Sequence, residues 1–193
     1  MISFNDLAAI TSGNVIQLAS NRNISHLVID SRKTVTSEDA LFFAIKGERH
    51  DGHLFIGSLY QSGMRQFIIE NDVNVERFPK GNFLKVTSAV KALQKIAAFH
   101  RKQFDIPVIG ITGSNGKTII KEWLYQLLSK DFNIVKNQGS YNSQIGVPLS
   151  IWQMQTHHQL GIFEAGISQP AEMDALREVM QPTIGIFTNI GTA

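Results

Sequence analysis

The chain has 193 residues, 18 Lys and Arg against 16 Asp and Glu, a formal net charge of +2 and no cysteine. That length supports one large or two small domains that bury roughly 70% of the unfolded surface, and the lack of cysteine excludes a disulfide framework, a thiolate zinc site and a cysteine nucleophile. A balance this close to neutral gives no footprint for nucleic acid, and with no basic-then-apolar start and no long apolar run we expect a cytoplasmic protein with no membrane contact.

Strands and helices alternate along the first part. Ser25 to Asp30 and Leu41 to Ile45 read as strands, His53 to Ser62 as a helix, and Gln66 to Glu70 and Asn82 to Val86 as strands again. Thr87 or Ser88 is a good N-cap for the long helix that follows, in which Val90, Leu93, Ile96, Ala97, Phe99 and His100 fall near helical spacing. The helix ends before Pro107 and predicts a junction: a domain over 1–86, a linker helix over 87–105 and a second domain over 106–193. The second part reads as strand 106–111, helix 117–129, strand 132–136, a loop, strand 160–163, helix 170–180 and strand 183–187. The fold class is therefore α/β, and the second domain should be a parallel sheet with right-handed crossovers and a ligand site at the carboxyl ends of its strands. The sequence stops at Thr188-Asn189-Ile190-Gly191-Thr192-Ala193, where another helix should follow, so we expect part of a longer protein, with the second domain incomplete.

The stretch Val108-Ile109-Gly110-Ile111-Thr112-Gly113-Ser114-Asn115-Gly116-Lys117-Thr118 has the form of a buried strand, a glycine-rich turn and a helix start. Such a turn lets backbone N–H groups close around phosphate oxygens, while the helix points its unpaired donors and positive dipole end at the same place. Lys117 would add a point charge on the terminal phosphates and the Thr118 hydroxyl would hold Mg²⁺. Five residues rather than the usual four separate Gly110 from Gly116, so a strict pattern search misses the loop. A dinucleotide fingerprint is absent in the right phase, and no Asn-Lys-x-Asp motif reads guanine.

Glu164 ends the apolar run Leu160-Gly161-Ile162-Phe163, where a nucleotide-binding sheet places a carboxylate for Mg²⁺. The loop from Asn137 to Pro148 is rich in amides and glycine and is a candidate ligand loop. In the first domain Arg32, Lys46 and Arg49 could face a phosphate or diphosphate.

Together these residues resemble the Mur ligases, the ATP-dependent amide-forming enzymes of peptidoglycan synthesis. Thr112 to Thr118 is similar to that family's ATP loop, which implies cofactor contacts from Gly113, Ser114, Asn115, Gly116, Lys117 and Thr118, with Thr118 and Glu164 on the metal and Lys117 and Glu164 as catalytic groups. Asp30-Ser31-Arg32, Leu41-Phe42-Phe43-Ala44 and Gly47-Glu48-Arg49-His50-Asp51-Gly52-His53 are similar to the family's N-terminal domain, which holds a UDP-muramyl substrate. The resemblance implies that Asp30, Ser31, Arg32, Lys46, Gly47, Arg49, His50, Asp51, Gly52, His53 and Asn142 bind substrate. The Lys121-Glu122 pair, the segment Asn142 to Pro148 and Glu164-Ala165-Gly166-Ile167-Ser168 most resemble the branch that adds D-alanyl-D-alanine to UDP-N-acetylmuramoyl-tripeptide. Ile119-Ile120 departs from the threonines common there. The resemblance implies ATP and Mg²⁺, an acyl-phosphate intermediate, a monomer, and a histidine, a carbamylated lysine and a third domain beyond residue 193. These residues alone are then expected to be inactive. The tripeptide-forming branch, a non-catalytic module that captures nucleotide or UDP-sugar, and a P-loop kinase are the alternatives.

Overall fold

The computed structural model describes residues 2–32, 37–48, 50–166 and 172–191. The chain divides into two compact units, Met1–Ile96 and Ala97–Ala193.

The first unit begins with a six-residue helix, α1 (Asp6–Thr11), whose first turn is fixed by the Asp6 carboxylate accepting from the amide and the hydroxyl of Ser3. Three strands follow, β1 (Asn14–Gln17), β2 (His26–Val28) and β3 (Ala40–Phe43). A 3₁₀ turn at Gly52–Phe55 runs into α2 (Ile56–Gln61), β4 (Gln66–Ile69) and β5 (Asn82–Lys85) follow, and α3 (Ala89–Arg101) carries the chain across the division between the units. Neither α1 nor β1 was expected, because six and four residues are too few to show a period. The helix expected over His53 to Ser62 begins instead as the 3₁₀ turn. The sheet order is β1-β5-β4-β3-β2, with β1 antiparallel to β5 and the rest parallel.

Parallel strands covered on both faces lose their polar alternation, and β3 and β4 are buried at every position. Phe42, Phe67 and Phe83 share one face, where Phe67 stacks on Phe83 at 5.0 Å and meets Phe42 edge-on at 6.5 Å. Leu41, Phe43, Ile68 and Leu84 alternate to the other and are fully buried. Two oxygens cap the start of α3. The Ser88 hydroxyl accepts from the Lys91 amide at 3.3 Å, and the Glu70 carboxylate accepts from the Ala89 amide at 2.6 Å.

The second unit alternates β6 (Val108–Thr112), α4 (Lys117–Leu128), β7 (Ile134–Lys136), α5 (Gly146–Ile151), β8 (Leu160–Glu164), α6 (Glu172–Met180) and β9 (Ile184–Phe187). All four strands are parallel in the order β7-β8-β6-β9. Ile120, Leu124 and Leu128 of α4 cover Ile109, Ile111, Leu160 and Ile162 on one face. Residues of α5 and α6 pack on Val108, Val135 and Phe163 on the other. The expected loop from Asn137 to Pro148 is shorter than the sequence suggested. Gly146, Val147 and Pro148 are buried in the first turn of α5, where a proline costs no hydrogen bond. Because β6 lies between β8 and β9, the ends of three strands at Thr112, Glu164 and Phe187 share one edge, the place where such sheets take ligands. Among the described residues no helix is long and apolar enough to cross a membrane.

His100 packs its ring on Trp152 at 4.5 Å and Phe104 at 4.9 Å, and its Nε2 lies 3.1 Å from the Met154 carbonyl. Burial pushes this imidazole below its ordinary value of 6.5, and the Met154 carbonyl offsets only part of that. The unfolded chain therefore takes up a proton that the folded one refuses. Stability should fall as pH drops below about 6.5 and level off beneath the folded value. His100→Gln, which keeps a donor but does not titrate, should flatten that slope in thermal unfolding followed from about pH 7.5 to pH 5; an unchanged slope would assign the acid sensitivity to other groups.

Candidate functional site

All five residues of β6 are buried, which delivers the glycine-rich turn to the ligand edge of the sheet. Gly113 has φ +137°, and a Cβ there would stand 2.2 Å from Thr188 Oγ1 and 2.9 Å from the Asn189 carbonyl oxygen, so only glycine fits. Gly116, with φ +82°, is the N-cap of α4 and supplies no side-chain cap. The first amides of α4, from Lys117 and Thr118, thus meet no capping oxygen from that position. Lys117 folds back over its own loop, donating to the carbonyls of Gly113 at 2.5 Å and Ser114 at 3.3 Å.

The segment after β9 clasps this turn. The Ser114 amide donates to the Asn189 carbonyl at 3.0 Å and the Asn115 amide to Asn189 Oδ1 at 2.9 Å. Thr188 Oγ1 donates to the Asn115 carbonyl, and the Ser114 hydroxyl to the Gly191 carbonyl at 2.8 Å. The sequence had assigned the Asn115 amide to phosphate. It is engaged by Asn189, which leaves the start of α4 as the free donor set.

β8 pairs with β6 in parallel, and Glu164 sits opposite Ile111. Its carboxylate is completely buried, and among the described residues neither oxygen has a hydrogen-bond partner. The nearest cation is Lys121, also fully buried, with Nζ 3.7 Å from Glu164 Oε2, 3.5 Å from Glu122 Oε1 and donating to the Gly139 carbonyl at 2.5 Å. Glu122 is paired in turn with Lys136, whose hydrogen bond, with help from the Lys121 charge, holds the Glu122 carboxyl below the usual range. Asn137 fixes the backbone here. Its Oδ1 accepts from the Glu164 amide at 2.7 Å while its Nδ2 donates to the Tyr141 carbonyl at 2.6 Å. The Asn142 carbonyl accepts from the Gly166 amide at 2.8 Å, so Asn142 stands just past Glu164.

A cation fits this geometry. A buried carboxylate without hydrogen bonds is costly unless a charge compensates it, and oxygen ligands of this kind suit a hard divalent ion. Thr118 lies exposed on the first turn of α4.

The first unit holds a separate cavity of about 380 Å³. Ile29, Phe42, Ile45 and Phe55 give it an apolar lining, and Asp30, Ser31, Arg32, His50 and Gly52 supply its polar groups. It lies past the carboxyl ends of β2 and β3. Arg32 makes a bidentate pair with Asp30, both contacts at 2.9 Å, yet its side chain is 88% exposed and free to turn. Gly52 lies against the backbone, since a Cβ there would come within 2.9 Å of Ala44 Cα. Gly47 and Lys46 are tied to the same turn through His50 and Asp51. Arg49 lies outside the described residues, as do Ile167 and Ser168.

Two family models match the chain. The one described as Mur ligase family, catalytic domain, covers residues 23–111, and the Mur ligase middle domain covers residues 111–193. The chain belongs to the Mur ligase family. It is 37% identical over 189 residues to the UDP-N-acetylmuramoyl-tripeptide–D-alanyl-D-alanine ligase of Borreliella burgdorferi, across 94% of this chain and 40% of that protein. A MurF crystal structure from Acinetobacter baumannii matches with a TM-score of 0.87 at 30% identity, covering 98% of this chain and 41% of that one. MurF ligase from Thermotoga maritima in complex with ADP matches with a TM-score of 0.77 at 32% identity, covering 89% and 38%. The chain therefore spans about two fifths of the length of the relatives it matches.

Within this Mur ligase fold, His53 has a different task from the one its sequence suggested. Its Nδ1 donates to Asp51 at 2.6 Å, and its Nε2 accepts from the amides of Glu70 at 3.0 Å and Asn71 at 3.1 Å. Both ring nitrogens are spent inside the protein, and the ring is a strut behind the cavity. The His53 amide and ring hydrogen bonds, in that order, hold the Asp51 carboxyl below its usual range. Sequence reasoning read Asn137 as the start of a candidate ligand loop, gave no task to Thr188 or Asn189 in holding the glycine-rich turn, and noted Lys121 only as part of a resemblance. An isolated asparagine or threonine in a loop carries no signal of what it will touch.

The tight clasp on Gly113 yields a direct expectation. Gly113→Ala forces both a strained φ and a clash with Thr188, and should cost about 1–3 kcal/mol or more in urea unfolding. A cost below about 0.5 kcal/mol would show that the loop yields freely.

Proposed function

We propose that this chain is the UDP-muramyl- and ATP-binding part of a cytoplasmic ligase that joins D-alanyl-D-alanine to UDP-N-acetylmuramoyl-tripeptide. The observation that carries this is the pairing, on neighbouring strand ends, of a glycine-loop helix without a side-chain cap and a buried carboxylate that has no hydrogen bond among the described residues. The kinship with the Borreliella ligase and the Acinetobacter MurF, and the ADP held by the Thermotoga one, support the same assignment.

In this scheme the amides of Lys117 and Thr118 hold the terminal phosphates, and the Lys117 ammonium leaves the carbonyls of Gly113 and Ser114 for them. Thr118 and Glu164 would hold Mg²⁺, which supplies charge neutralisation on the phosphates. Among the described residues no three His, Asp or Glu side chains gather, so phosphate and water complete the cation's shell. The γ-phosphoryl group passes to the tripeptide carboxylate, releasing ADP. The dipeptide amine then attacks the acyl carbon of the acyl phosphate and phosphate departs, leaving an amide. In the first unit, the apolar lining suits a flat uracil ring, while Ser31, His50 and an Arg32 turned from Asp30 serve the ribose and diphosphate.

Calorimetry with each ligand tests the two-site layout. Lys117→Ala should weaken ATP binding by about 10²-fold or more and leave the UDP-sugar isotherm unchanged, whereas Phe42→Ala should do the reverse. Loss of both isotherms in either variant, though it remains folded, would contradict the assignment. The 193 residues alone should bind both ligands without ATP- and dipeptide-dependent phosphate release.

A further inference from the structure

A buried lysine that no phosphate contact uses stands beside the carboxylate assigned to the cation. Lys121 follows Lys117 by one turn of α4, and its ammonium faces the Gly139 carbonyl at 2.5 Å, Glu122 at 3.5 Å and Glu164 at 3.7 Å. The Gly139 carbonyl is the closest of the three. The two carboxylates are held as charge contacts at the outer limit of pairing, so the ammonium is shared between them and committed to neither.

We propose that Lys121 is the resident counter-ion of Glu164: it neutralises that carboxylate before a divalent cation arrives, competes with the cation for it, and so sets how tightly the site holds metal. This rests on the function proposed above. A fully buried carboxylate with two unbonded oxygens needs a charge nearby, and Lys121 is the cation within pairing range of it. A divalent ion on Glu164 would repel an ammonium about 4 Å away. Glu122 is the acceptor to which the ammonium can yield without leaving the buried site. Its other oxygen is already anchored by Lys136, so it stays in place to receive the charge. The Gly139 hydrogen bond is compatible with either position, which keeps the 137–142 turn attached while the charge shifts.

The test is Mn²⁺ binding to the chain in the presence of ADP, read from the free-ion EPR signal. Lys121→Met, similar in length and uncharged, should tighten Mn²⁺ about tenfold or more. Glu122→Gln should weaken it several-fold by returning the ammonium to Glu164, and should have no effect in the Lys121→Met background, because Glu122 acts through Lys121. A lysine with a purely structural role predicts weaker or unchanged binding in Lys121→Met, and that outcome overturns the proposal. If Lys121→Met does not fold, Glu122→Gln decides alone: unchanged or tighter binding overturns it. Glu164→Gln separates this inference from its basis. Unchanged Mn²⁺ affinity there removes the cation from Glu164 and defeats both, while a large loss there with no tightening in Lys121→Met defeats only the counter-ion role.

Discussion

The ligand end of the second unit is organised around one electrostatic constraint, a carboxylate buried at the end of β8 that has, among the described residues, no hydrogen bond to either oxygen. Bulk solvent does not reach it, and the pairing of Glu164 with Ile111 uses only backbone. Its compensation must come from neighbours across the strand edge. The residues that face it are a lysine from α4 and, through Asn137, a polar turn after β7. Their arrangement follows from the need to bury a charge beside a glycine-rich loop.

α4 meets two demands at once. Its first turn must stay uncapped so that amides remain available, which is why a left-handed glycine stands at its N-cap in place of Ser, Thr or Asp. Its second turn must bring Lys121 inward, although the helix otherwise buries only an apolar stripe. The lost cap is offset by tertiary packing of Ile120, Leu124 and Leu128 on the sheet and by the clasp from Thr188 and Asn189. A helix of this length, packed on one face, can spare a capping bond of about 1 kcal/mol.

Much of this was legible before any coordinates. Strand, turn and helix around Gly113 to Thr118 form a local pattern, so sequence alone placed the loop, and the end of an apolar run placed Glu164. The parallel sheets followed from uninterrupted apolar strands such as Ala40-Leu41-Phe42-Phe43. What escaped was either too short to have a period, as with α1, β1 and α5, or long-range and polar. Asn189 acts on Asn115 across 74 positions and Asn137 on Glu164 across 27, and such contacts depend on topology, not on neighbours in the chain. Lys121 was noted only through the resemblance, for a related reason. A lysine on a helix is ordinarily solvated, and only the neighbouring strand end reveals that this one is not.

The two units solve the same problem differently. In each, a ligand cavity or loop lies past the carboxyl ends of parallel strands, and in each a glycine lets backbone come closer than a Cβ would allow, Gly52 against Ala44 and Gly113 against Asn189. In the second unit the close approach is held by a threonine and an asparagine from the segment after β9. In the first it is held by His53, which ties the turn at Asp51 to the amides of Glu70 and Asn71, while the Glu70 carboxylate reaches on to cap α3 at Ala89. A histidine suits this position because one ring can donate through Nδ1 to Asp51 and accept at Nε2 from two backbone amides, which satisfies all three partners. The turn that presents His50 and Gly52 to the cavity is thereby fixed from behind, before any ligand enters.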